Sequence, residues 1–80
     1  MSEYWELYQM LYSNIEKKNE LIAQQLRQIQ SYINGLTDGW YDFLTSFKKI
    51  VSDNFNNIAL EDLELADLLI ATLENSLKSR

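Results

Sequence analysis

The sequence predicts an all-α protein, a small helical bundle. Three observations carry that expectation. Proline is absent from the 80 residues and glycine occurs only twice, at Gly35 and Gly39. A β-rich or loop-rich fold needs more turn residues than that, whereas helices tolerate it. The apolar residues, 46% of the chain, recur at spacings of three, four and seven. The breaks between these periodic segments hold the two glycines and an asparagine cluster.

The first segment runs from about Glu3 to Asn34. Tyr8, Ile15, Ile22, Ile29 and Leu36 lie seven apart, with Tyr4, Leu11, Leu26 and Ile33 between them. This is a heptad-like stripe on one side of a helix, and Asn34-Gly35 closes it as a C-cap. Its centre is weak, with Lys18 and Gln25 in intermediate slots and Asn19 beside the seam. Ser13-Asn14-Ile15-Glu16 also reads as a capping box, which would divide the segment into Glu3–Tyr12 and Asn14–Asn34. One continuous helix is preferred, because no Gly or Pro marks a break.

The second helix is expected over about Gly39–Asn54, with Thr37 or Asp38 as N-cap. Trp40, Leu44, Phe47, Val51 and Phe55 form its stripe, widened by Phe43 and Ile50. Asn54-Phe55-Asn56-Asn57 is the second break, since Asn favours turns and caps. Asn57 is expected to cap a third helix, about Ala59–Lys78. Its seam is read as Leu63, Ala66, Ile70, Leu73 and Leu77, with Leu65, Leu68 and Leu69 extending the apolar surface. The expected architecture is a long N-terminal helix against a helical hairpin: three helices, or four if the first breaks near Ser13. One domain is expected across residues 1–80.

A continuous first helix would be about 48 Å long, and each later helix about 24–28 Å. The hairpin could then cover only half of it. The aromatic end would project, and exposed apolar patches of that kind mark interaction sites. Tyr4, Trp5, Tyr8, Leu11 and Tyr12, together with Leu65, Leu68 and Leu69, are therefore the expected partner or dimer interface. A homodimer is expected, since small chains need a stabilising device beyond their own core and two-fold dimers are the commonest closed assembly.

Chemistry is narrowly bounded. There is no Cys and no His. Disulfides are excluded, structural zinc is close to excluded, and Ser–His or Cys–His nucleophiles cannot be built. No Gly-rich loop could cradle a phosphate. No catalytic residue, metal site or cofactor is expected, and the protein is not expected to be an enzyme. The net charge of −5 argues against phosphate-backbone binding and against anionic membrane surfaces. No apolar run is long enough to span a bilayer, and Met1–Glu6 lacks the order of a secretion signal, so the expected location is cytoplasmic.

The expected role is a helical protein–protein interaction module, a small regulator, adaptor or inhibitor. The alternative rests on Glu61, Glu64, Asp67 and Glu74. A row of carboxylates there could imitate a phosphate backbone and block a nucleic-acid-binding protein, although such runs are usually a solvated face.

Overall fold

A computed structural model describes residues 3–33 and 37–78. It contains four α-helices, α1 Glu3–Lys18, α2 Glu20–Gln30, α3 Thr37–Asp53 and α4 Leu60–Lys78, with a 3-10 turn Phe55–Asn57 between the last two. No strand occurs among the described residues. The expected C-cap at Gly35, and Leu36 on the heptad stripe, lie outside them.

The first periodic segment is two helices, not one. The break falls at Asn19, six residues beyond the capping box at Ser13. Asn19 is extended (φ −152°, ψ 98°), and its side-chain oxygen accepts a hydrogen bond of 3.3 Å from the Ile22 N–H. That is the N-cap role for which asparagine is well suited. The helical ladder runs up to the break on both sides. The Asn19 N–H donates to the Ile15 carbonyl (2.7 Å), and the Ala23 N–H donates to the Asn19 carbonyl (3.1 Å). A single residue thus turns the chain back on itself without Gly or Pro.

The other boundaries also differ from expectation. α3 starts at Thr37, so Asp38 sits in its first turn instead of capping it. Asn57 belongs to the 3-10 turn, and α4 enters through Ala59, whose carbonyl accepts from the Asp62 and Leu63 N–H groups.

The helices form an antiparallel ring. α1 packs on α2 and α4, and α3 packs on the same two. Specific contacts set the directions. Tyr8 reaches Gln30 while Tyr12 reaches Arg27. Lys18 at the end of α1 meets Glu61 at the start of α4. Asn54 meets Gln25, and Lys48 meets Glu74. Each element thus turns back beside its predecessor, an up-down-up-down four-helix bundle measuring 34 × 22 × 22 Å.

The inner face of α1 is Tyr4, Tyr8, Leu11 and Ile15, and that of α2 is Ile22, Ala23, Leu26 and Ile29. Phe43, Leu44, Phe47 and Ile50 supply α3. On α4 the buried set is Asp62, Ala66, Leu69, Leu73 and Leu77. The seam expected on α4 was therefore rotated by about one position. Leu69 is buried where Ile70 was expected, and Leu63 and Ile70 are only partly covered, as is Val51 on α3. Phe47 and Leu73 are buried as expected.

Candidate interaction face

The break at Asn19 decides the fate of the aromatic cluster. With α1 about 24 Å long, α3 is long enough to cover it. Tyr4 packs edge-to-face on Trp40 with centroids 4.9 Å apart, and Tyr8 packs likewise on Phe43 at 5.3 Å. Phe43 stacks on Phe47 at 5.8 Å. Such pairs add specific geometry to a large apolar burial. Tyr4, Tyr8, Leu11 and Leu69, expected at an interface, are instead in the core of the chain's own fold. Trp5, Tyr12 and Leu65 are half-buried against it. Only Leu68, at 52% exposure, presents most of its side chain to the surroundings. The projecting aromatic end that motivated a dimer does not exist.

The Tyr8 hydroxyl remains polar in this setting. It accepts from Gln30 Nε2 (2.5 Å) and donates to the Leu26 carbonyl (3.3 Å). Burial of the ring pushes its pKa up to about 12. On the adjoining surface, Arg27 donates to the Tyr12 hydroxyl (2.6 Å) and pairs with Glu20 (2.5 Å). Tyr12 in turn donates to Glu16 (3.1 Å). Hydrogen bonds to Glu20 and then Tyr12 hold the Arg27 guanidinium above its usual range. These contacts tie α1 to α2 across the turn.

A second polar cluster ties α1 to α4. Asp62, in the first turn of α4, is 1% exposed. Its carboxylate accepts from Lys18 Nζ (3.1 Å) and from Asn14 Nδ2 (3.3 Å). Lys18 also pairs with exposed Glu61 at 2.9 Å. Hydrogen bonds to Glu61 and then to Asp62 raise the pKa of the Lys18 ammonium. Sequence periodicity did carry a signal here: Asp62 lies four residues before Ala66 and seven before Leu69, on the buried stripe.

The expected acidic face is broken up by these contacts. Glu61 is engaged by Lys18, and Glu74 by Lys48 at 3.3 Å. Glu64 and Asp67 are exposed and form no ion pair among the described residues. Two free carboxylates are a poor imitation of a phosphate row.

What remains open is the outer seam between α1 and α4. Met10 is 57% exposed. It lies four residues before Asn14, which reaches α4. Leu68 lies seven residues after Glu61, which reaches α1. Both therefore stand on the flank where the two helices meet, and the antiparallel register sets them level. Leu7 and Leu65, partly buried, lie one turn inward on the same flanks. Beyond this strip the seam widens into an open hollow of about 450 Å³ lined by Glu3, Tyr4, Thr72, Asn75 and Ser76. Exposed Glu3, Glu6 and Glu64 border the strip. A second open hollow, of about 240 Å³, lies between α3 and α4 and is lined by Tyr41, Leu44, Lys48, Glu74 and Leu77.

Among the described residues, no helix is long and apolar enough to cross a membrane. Comparison of the chain with protein families, curated proteins and solved structures finds no match.

Proposed function

We propose that the chain is a non-enzymatic helical interaction module that holds a helix of another protein along the outer α1/α4 seam. The observation that carries this reading is the strip of exposed Met10 and Leu68 flanked by half-buried Leu7 and Leu65. Two antiparallel helices with an apolar strip between them accept a third helix through anchors one turn apart. The border of Glu3, Glu6 and Glu64, on a chain of net charge −5, favours a cationic amphipathic partner and steers its approach. A second copy laid on the same seam with two-fold symmetry would bring these carboxylates against each other. The module would act as a small regulator, adaptor or inhibitor by occupying that partner helix.

The test uses a synthetic helix with leucines at helical spacing and flanking lysines, and calorimetric titration. Wild type should bind it, and a Met10→Ser, Leu68→Ser double variant should bind at least about tenfold more weakly, as expected on losing central apolar anchors. Because both side chains are exposed, the variant should keep its helical circular dichroism. Equal affinity of wild type and variant would overturn the assignment of the face. Equal affinity for a glutamate-flanked helix would remove the preference for a cationic partner.

A further inference from the structure

We infer that this chain pairs with a second copy of itself by exchanging α1, the turn at Asn19 straightening so that α1 and α2 become one helix spanning Glu3–Gln30. Three independent features point to this exchange.

The first is the stripe. Tyr8, Ile15, Ile22 and Ile29 keep a seven-residue spacing through the break, and all four are buried. The inner face is therefore continuous whether the chain turns at Asn19 or runs straight through it. The second is the turn itself. Only Asn19 leaves helical geometry, and the ladder is intact at Asn19 N–H to Ile15 and at Ala23 N–H to Asn19. The missing rungs are the N–H groups of Glu20, Leu21 and Ile22 toward the carbonyls of Glu16, Lys17 and Lys18. Rotating one residue into the helical region restores all three, at the loss of the Asn19 cap on Ile22. Short hinges between elements that pack on each other are where exchange between copies arises.

The third feature lies at the end of the bundle. The antiparallel ring gathers the Asn19 turn, the Phe55–Asn57 turn and the start of α4 at one end. Among the described residues, the three most exposed large apolar side chains all belong to these segments: Leu60 at 72%, Leu21 at 70% and Phe55 at 59%. A straightened helix joins two bundles at that end and brings the two apolar caps face to face. Charges there are of both signs, Lys17 and Lys49 beside Glu16, Glu20 and Asp53, so opposite charges are available to pair across the two caps. Within each bundle every native contact of α1 is kept but made by the other copy. The outer α1/α4 seam then has one wall from each chain and occurs twice per dimer.

The ion pair between Lys18 and Glu61, 2.9 Å apart, gives a direct readout. A carbodiimide joins an ammonium to a carboxylate in contact without a spacer. In a monomer, or in a dimer of intact bundles, the link forms within one chain. In the exchanged dimer it forms between chains and survives a denaturing gel as a covalent dimer, the joined peptides being identified by mass spectrometry of a mixture of isotopically light and heavy protein. The protein is refolded at millimolar concentration and its mass followed by analytical ultracentrifugation. Interchain Lys18–Glu61 links are expected. Asn19→Ala, which removes the cap and adds a strong helix former, should lower the dimer dissociation constant about tenfold or more, since two hinges change per dimer. Leu21→Ser with Phe55→Ser should raise it while leaving the monomer folded. A monomer at every concentration for both wild type and Asn19→Ala would overturn the inference. So would a dimer whose Lys18–Glu61 links stay within single chains.

Discussion

Tyr8 should make the protein lose stability in alkali, and the size of the loss follows from its surroundings. Its ring is 1% exposed and its pKa stands at about 12, against about 10 for a tyrosine in the unfolded chain. Between those values the unfolded state has released a proton that the native state still binds, so stability falls as pH rises. The contribution is fully present below about pH 10 and is lost by about pH 12. Two units correspond to about 2–3 kcal/mol, a large share of what a domain of this size has. Tyr8→Phe isolates the effect. At neutral pH it removes the hydroxyl that accepts from Gln30 and donates to Leu26, at a cost of about 0.5–1.5 kcal/mol, because half-buried Gln30 can rehydrate. Phenylalanine cannot ionise, so the variant escapes the alkaline loss. Urea unfolding followed by circular dichroism from pH 7 to 12 should give curves that cross. Wild type is the more stable at pH 7, and the variant is the more stable near pH 12. Curves that remain parallel through that window would show that burial of Tyr8 does not control its ionisation.

The remaining predictions concern the polar clamp and the phase of α4. Lys18→Met strands the carboxylate of Asp62 with Asn14 alone and should cost about 1–3 kcal/mol in chemical denaturation. Glu61→Gln removes only an exposed pair and should cost less than about 0.5 kcal/mol; similar costs for the two would mean Asp62 does not depend on Lys18. Leu69→Ala should cost about 2–5 kcal/mol, the range for a buried leucine. Leu68→Ala, one residue earlier, should fall within about 0.5 kcal/mol of wild type, and a reversed order in thermal melts would show that the seam is misphased.

The all-helical class and two of the helices were legible because they depend on period and on breakers. The second and third expected helices match α3 and α4 to within two residues at every end, and most of the buried residues of α1, α2 and α3 lie on the stripes read from the sequence. The phase of α4 was harder. Leu60, Leu63, Leu65, Leu68, Leu69, Ile70, Leu73 and Leu77 surround much of that helix, so apolar positions alone leave its rotation open. The deciding residue is polar: Asp62 occupies the buried face because Lys18 and Asn14 meet it there. Periodicity sets Asp62 on the stripe of Ala66 and Leu69, but it does not show the partners, more than forty residues away, that let a carboxylate stay buried there.

The break at Asn19 was hidden for a different reason, and the same reason shaped the reading of the whole surface. A heptad stripe states which side of a helix is apolar; it does not state whether that side faces a neighbour in the same chain or in another. Tyr8, Ile15, Ile22 and Ile29 satisfy both a straight helix in a dimer and two antiparallel helices in a bundle. Local chemistry separates the two by very little, an asparagine cap on one side and three helical hydrogen bonds on the other. Tertiary contacts favour a packed bundle over an unpacked helix. Turning at Asn19 sets Arg27 against Tyr12 and Glu16, gives Tyr8 the company of Phe43, and lets Lys18 reach Asp62. An exchanged dimer would keep these same contacts between chains, so they hold α1 in its groove without dictating which copy supplies it. Concentration, which changes the entropy of bringing two chains together, then becomes the variable that selects between the forms. A turn of several flexible residues would have favoured the closed monomer much more strongly. Asn19 alone leaves the choice open to a single substitution.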